Sequence, residues 1–326
     1  DRPEVAGEYP VLTLRPTDWR TFDGGAAIVA RHLAAMGARP VLVTGHPRTS
    51  DAEALRERLE VEGVETRWID LDRPLVEKQR FLVGQQKVMK LDLVEPVTLD
   101  AKRQGDLIEM AADAAGNCDG AIILDYGGGL LTTGMTQRLC ESLRPCVDVL
   151  TGDVSGRRSN LLQMVGMDLV CPSESELRDA LQQHSEGLSA AVWRLLQRTG
   201  TMAALVTLGA EGLIAFERLP DADFAPHDWS RRLGSEHVPA LVTSAVDQLG
   251  CGDSLLAAAT LALTARLPLG VVATLGAVAA AAQAQRLGNA VIGADDLRKG
   301  MKRIEGRRLA VERRPAERAP AVRLVS

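Results

Sequence analysis

The chain has 326 residues, 46% of them hydrophobic and 3% aromatic, and a formal net charge of -5. That much apolar material suffices for one large α/β domain or two average ones and excludes disorder as the default. The acidic balance and scarce aromatics exclude a general nucleic-acid surface, so a small-molecule ligand fits better.

The first strand expected is Tyr9 to Leu14, followed by a helix that opens at Gly24-Gly25-Ala26-Ala27, runs through Met36 and stops at Gly37. Pro40 to Thr44 then reads as a buried strand and Asp51 to Glu62 as a helix, a βα unit with its stop signals in place. Between Val76 and Leu93 polar and apolar residues alternate around Gly84-Gln85-Gln86-Lys87, the pattern of a hairpin with one wet face and a candidate lid. The βα rhythm returns with a helix over Ala101 to Ala115, a strand over Ala121 to Asp125, a helix over Thr133 to Leu143, and strands over Val147 to Leu150 and Asp168 to Cys171. A helix over Ser189 to Arg198 and strands over Ala203 to Leu208 and Leu213 to Phe216 lead to the loop Gly250-Cys251-Gly252-Asp253. The repeated alternation predicts an α/β fold around a mainly parallel sheet. The most apolar stretch, Leu255 to Ala284, is interrupted by Arg266, Pro268 and Gly270 and reads as two packed helices rather than a membrane span. Nothing at the start reads as a signal peptide. Cys118, Cys140, Cys146, Cys171 and Cys251 show no C-x-x-C spacing, which fits a reduced, cytoplasmic setting without zinc. The tail from Arg307 to Arg323 carries six arginines with Pro315 and Pro320 and reads as a solvated end.

The chemistry concentrates near residue 250. Two glycines let backbone amides approach a ligand, and the helix that follows points its positive end at the same place, so the loop is a candidate anion site. Asp253 is ill suited to bind phosphate but well suited to take a proton from an attacking hydroxyl. The plain alternative is an Asp at the start of a helix after a tight loop. Two other glycine-bearing loops, Gly24-Gly25 and Thr207-Leu208-Gly209-Ala210-Glu211-Gly212, also flank strands, and loops at the carboxyl ends of strands in an open sheet share one crevice. A dinucleotide-binding oxidoreductase is set aside, because no Gly-x-Gly-x-x-Gly follows an early strand and Leu255 stands where a third glycine would belong.

Val206 to Gly212 together with Asp247-x-x-Gly250-x-Gly252-Asp253 resemble the ribokinase-like (PfkB) carbohydrate kinases over nearly the whole chain. Gly24-Gly25-Ala26-Ala27 with Val29-Ala30, Lys78-Gln79-Arg80, Gln85-Gln86, Lys90-Leu91-Asp92 and Asp125-Tyr126 extend the likeness to the kinase domain of the ADP-heptose synthases. No His-x-Gly-His nucleotidyltransferase signature accompanies them. The resemblance implies a three-layer α/β/α kinase domain over residues 1–306, lid segments at about 8–15 and 75–94, and a separate tail at 307–326. It implies ATP and Mg2+ as cofactors and a sugar or sugar phosphate as acceptor, with heptose 7-phosphate favoured.

Carried over by position, Asp253 is the catalytic base and the amides of Gly250, Cys251 and Gly252 hold the developing charge. Thr207, Gly209 and Gly212 flank the ATP phosphates, and Asp247 bonds either the loop or the nucleotide. Gly24, Gly25, Lys78, Arg80, Asp92 and Asp125 face the sugar or form the lid, and Glu176 positions magnesium through water. Cys251 fills space. Relatives often dimerise through the lid, and Val76 to Leu93 offers edges either for that or for cover by its own chain.

The pattern also breaks. Ile28 stands where a sugar-contacting Asn is usual, Gly128 replaces a lysine, and Ser173 replaces the Asn of Asn-x-x-Glu. Only eight residues precede Tyr9, where the family's first strand and its early sugar-binding Asp would lie. An isoleucine cannot hydrogen-bond a sugar. The two expectations are therefore a sugar kinase and a kinase-like protein that binds ligand, or acts as a scaffold, without turnover.

Overall fold

The computed structural model describes residues 4–5, 12–13, 17–84, 86–93, 95–156, 160–219 and 229–305. Two short strands, β1 (Glu4–Val5) and β2 (Leu12–Thr13), pair antiparallel. The rest of the expected strand Tyr9 to Leu14, the remainder of the first lid segment and the tail 307–326 lie outside the described residues.

Helix α1 (Gly25–Ala35) begins at the second glycine of its loop. Strand β3 (Val41–Pro47), helix α2 (Ser50–Val61) and strand β4 (Glu65–Leu71) form a βαβ unit whose two strands are parallel, with the Thr49 hydroxyl capping α2. Strands β5 (Glu77–Val83) and β6 (Gln86–Leu93) make the expected hairpin, which among the described residues pairs only with itself and slips register between Phe81 and Leu82. Helix α3 (Ala101–Ala115), strand β7 (Gly120–Asp125), helix α4 (Thr133–Leu143), strand β8 (Val149–Val154) and strand β9 (Leu169–Val170) follow. Helix α5 (Glu174–Leu181), helix α6 (Leu188–Thr199), strand β10 (Ala203–Thr207), strand β11 (Leu213–Arg218) and strand β12 (Leu233–Val238) complete the sheet region. The chain then forms helices α7 (Cys251–Thr264), α8 (Leu269–Ala284) and α9 (Ala294–Glu305).

Strand β8 starts later than the sequence suggests and runs on to Val154. Arg144 takes the carbonyls of Val147 and Asp148 with its guanidinium, at 2.7 and 2.9 Å, which withdraws that stretch from the ladder. The extension carries Asp153 into the strand.

The main sheet has the order β12-β11-β10-β9-β8-β7, parallel from β7 to β10 and antiparallel from β10 to β12. Alternation along β10 builds two cores. Ala204 and Val206 pack with Leu107, Met135 and Leu195 of α3, α4 and α6, whereas Ala203 and Leu205 pack with Leu255 and Val272 of α7 and α8. A strand buried on both faces in this way is the mark of a sheet covered on both sides by helices. The fold is the expected three-layer α/β/α arrangement. Among the described residues no helix is long and apolar enough to cross a membrane.

Candidate active site

The parallel strands end on one edge, and the chemistry collects there. Strand β7 ends at Asp125 with Tyr126 just beyond it, near the end of β8 lies Asp153, after β9 come Ser173 and Glu176, and β10 ends at Thr207. Ser173 and Thr207 form a parallel bridge, and the Thr207 N–H donates to Pro172 O at 3.0 Å.

Asp253 lies in the first turn of α7, which Gly250 caps with a left-handed φ of +76°. A Cβ on Gly250 would sit 2.4 Å from Asn289 Oδ1, so the turn needs glycine for conformation and for space. The N–H of Cys251 turns back to Gln248 O at 3.4 Å, while those of Gly250, Gly252 and Asp253 find no acceptor among the described residues. The amides open for an anion are thus Gly250, Gly252 and Asp253, with that of Cys251 partly engaged.

The Asp253 carboxylate is half-buried, and its Oδ1 accepts a 2.7 Å hydrogen bond from the Tyr126 hydroxyl. Burial pushes its pKa up, against the opposing pull of Tyr126 and of the Lys78 ammonium. Lys78 reaches the site from β5, where burial lowers its own pKa despite the attraction of Asp92 and Asp253. Asp153 lies beneath the loop, its Oδ2 3.8 Å from where a Gly252 Cβ would be, and its buried Oδ1 has no partner. Burial, then Glu176 and Asp253, raises the Asp153 carboxyl well above its ordinary value. Two neighbouring carboxylates and an orphaned oxygen make a place that favours positive charge, although no three ligand side chains cluster tightly enough among the described residues to hold a metal ion alone.

The other residues named from sequence divide. Gly24 and Gly25 stand beside the site, the ring of Tyr126 lying 3.7 Å from where a Gly25 Cβ would be. Glu176 is the N3 residue of α5, and its Oε2 accepts from the Ser173 N–H at 2.9 Å and the Ser173 hydroxyl at 2.7 Å, a capping box. Asp125 is buried and spent on structure, with Oδ1 bonded to the Gly127 N–H and Oδ2 to Asn160. Asp247 is likewise turned to the loop, accepting from the N–H groups of Leu249 and Gly288 and from Lys87. Gly212 lies against the backbone of Val238, where a Cβ would come within 2.2 Å of the carbonyl oxygen. Gly209 opens the tight turn after β10, and a Cβ there would meet nothing within 4 Å. Arg80 and Lys87 border a cavity of about 230 Å³ on the hairpin, and Asp92 pairs with Lys90 at 2.8 Å. Burial first, then Asp247 and Asp253, pushes the Cys251 thiol up to about 11, away from the thiolate form.

Gln283 and Asn289 had no place in the sequence reading. Gln283 Nε2 holds Leu249 O at 3.0 Å and Gly288 O at 2.5 Å, and Asn289 Nδ2 holds Asp23 O at 3.1 Å, so the loop before α1 and the loop before α7 meet. A glutamine within the alanine run of α8 was the available signal.

The pfkB family carbohydrate kinase model matches residues 3–294. The bifunctional protein HldE of Granulibacter bethesdensis is 28% identical over 302 residues, covering 90% of this chain, and that of Pseudomonas syringae pv. tomato is 28% identical over 309 residues, covering 93%. The chain spans 60% of the length of either relative. Among solved structures, phosphofructokinase-2 from Escherichia coli in complex with potassium superposes with a TM-score of 0.73 at 18% identity, covering 93% of this chain and 94% of that one. Ribokinase from Thermotoga maritima superposes with a TM-score of 0.67 at 17% identity, covering 89% and 91%. With a family match across most of its length and the three-layer fold of its structural neighbours, the chain belongs to the pfkB family of carbohydrate kinases.

Proposed function

We propose that the chain transfers the γ-phosphoryl group of ATP to a hydroxyl of a sugar phosphate, with Asp253 as general base and heptose 7-phosphate as the favoured acceptor. The observation that carries this reading is the placement of Asp253: half-buried at the amino end of α7, one oxygen without a donor, beside open amides and across from Lys78. A carboxylate there takes the proton of the attacking hydroxyl while the amides of Gly250 and Gly252 meet the transferred phosphoryl group, with that of Cys251 as a weaker third. Thr207 and Gly209 border the nucleotide phosphates, and Gly24, Gly25 and Lys78 face the acceptor. Magnesium, when bound, neutralises phosphate charge. Glu176 and Asp153 are the carboxylates that would hold it, Glu176 through water, in keeping with an ion that sheds its hydration reluctantly. The heptose preference rests on the segments shared with ADP-heptose synthases and on the HldE relatives. A homodimer through β5 and β6 is part of the same proposal, supported by the exposed Met89, Leu91 and Leu93 of that hairpin.

ADP release measured over a panel of sugars and sugar phosphates tests the assignment, with Asp253→Asn as control. Wild-type release at least a thousandfold faster than the variant, an estimate of about 4 kcal/mol in barrier, is expected; equal rates refute it.

One observation favours a second reading. Ile28 is fully buried in α1 and offers no surface to a sugar, so a polar contact usual in the family is gone. Thermal stabilisation by ATP with no ADP release on any acceptor would support a binding protein without turnover.

A further inference from the structure

The two oxygens of Asp253 are not equivalent. Oδ1 is held at 2.7 Å by the Tyr126 hydroxyl, and Oδ2 receives no hydrogen bond among the described residues. Tyr126 is itself well fixed. The preceding Asp125 is clamped by Gly127 and Asn160, and the tyrosine ring stands over Gly25, 3.7 Å from where a Cβ would be, at van der Waals distance. Burial, reinforced by the Asp253 charge, raises the phenol well above its ordinary value, so the hydroxyl stays protonated and donates.

We propose that Tyr126 is a positioning residue for phosphoryl transfer: by occupying Oδ1 it orients the carboxylate so that Oδ2 meets the acceptor hydroxyl. This rests on Asp253 being the base. The acceptor oxygen forms its bond to the γ-phosphorus as the bond to the ADP oxygen breaks, the hydroxyl proton passes to Oδ2, and the Tyr126 proton stays on its own oxygen throughout. Other charged or titratable groups face the carboxylate as well. Lys78 approaches from β5, Asp153 from β8 with Glu176 of α5 behind it, and Cys251 belongs to the same turn of α7. Of the hydroxyls, only that of Tyr126 bonds the carboxylate among the described residues.

Tyr126→Phe removes the hydroxyl and keeps the ring. The pH dependence of kcat/KM is compared for wild type, Tyr126→Phe and Asp253→Asn with heptose 7-phosphate and the other panel acceptors. The expected results are a kcat lowered about tenfold, by loss of one hydrogen bond to a charged group, an unchanged KM for ATP, an unchanged melting temperature, and an acid limb moved to higher pH. The direction follows because the phenol favours the ionised carboxylate, which is the active form of the base. Wild-type kcat with an unmoved acid limb in Tyr126→Phe overturns the proposal while leaving Asp253 as base. A lowered kcat with an unmoved limb also overturns it, marking the tyrosine as packing alone. Wild-type turnover no faster than that of Asp253→Asn overturns the base and the tyrosine's role together.

Discussion

The ammonium of Lys87, on strand β6 of the hairpin, stands 2.5 Å from Oδ1 of Asp247, whose side chain is only 4% exposed. The pair joins two parts of the chain 160 residues apart. Asp247 in turn accepts from the N–H groups of Leu249 and Gly288, so the hairpin cation neutralises the carboxylate around which the loop before α7 is folded.

Replacing Lys87 by Met leaves that carboxylate without its counter-charge. Burial alone would push the Asp247 carboxyl up, but the bonds from Lys87, Leu249 and Gly288 outweigh it and hold it below its ordinary 3.8. A depressed carboxyl stabilises the fold above the unfolded value and loses that contribution as pH falls through the folded one. Lys87→Met should therefore cost about 1–2 kcal/mol near neutral pH, discounted for the exposed lysine. The gap should close in acid, and urea unfolding at both pH values measures it.

Glu176→Gln separates the two roles open to that residue. Glutamine preserves the capping box with Ser173, so unfolding free energy should change by less than about 0.5 kcal/mol. The magnesium concentration giving half-maximal rate should rise about tenfold if the carboxylate helps hold the ion. An unchanged magnesium requirement would leave Glu176 as a helix cap only.

Gly212→Ala should destabilise the protein by about 2–4 kcal/mol, because φ is +97° and the added methyl would run into the Val238 and Ala240 backbone. Gly209→Ala, with open space around its Cβ, should cost about 1 kcal/mol. Thermal melts of the two variants check the contrast. A small effect at Gly212 would show that β12 can move aside.

Repeating βα units and the glycine loops were legible because each rests on local signals: caps, turns and alternation. Strand β4, strand β12, helix α5 and helix α9 were not. Helix α9 carries Asp295, Asp296, Arg298, Lys299, Lys302 and Arg303 and buries no residue fully, so its charges drew attention away from Leu297, Met301 and Ile304, which recur at helical spacing. Strand β12, Leu-Gly-Ser-Glu-His-Val, is an edge held by its ladder to β11 rather than by strand-forming side chains. In the site, Asp253 was visible as an acid after paired glycines, whereas its bond to Tyr126 spans 127 residues and leaves no periodic trace. Beside it, Asp125 uses its own oxygens to close the turn, and its neighbour Tyr126 carries the contact with Asp253.

The 3.1 Å bond from Asn289 to the carbonyl of Asp23 spans 266 residues, the longest reach of any side-chain contact around Asp253. Closing a loop this long costs more chain entropy than closing a short one, and non-local contacts of this kind slow folding. A chain still missing α8 and the turn after it has nothing to fasten the first glycine loop to the last. The join between those two loops is therefore complete only once every element from Asp23 to Asn289 has been made.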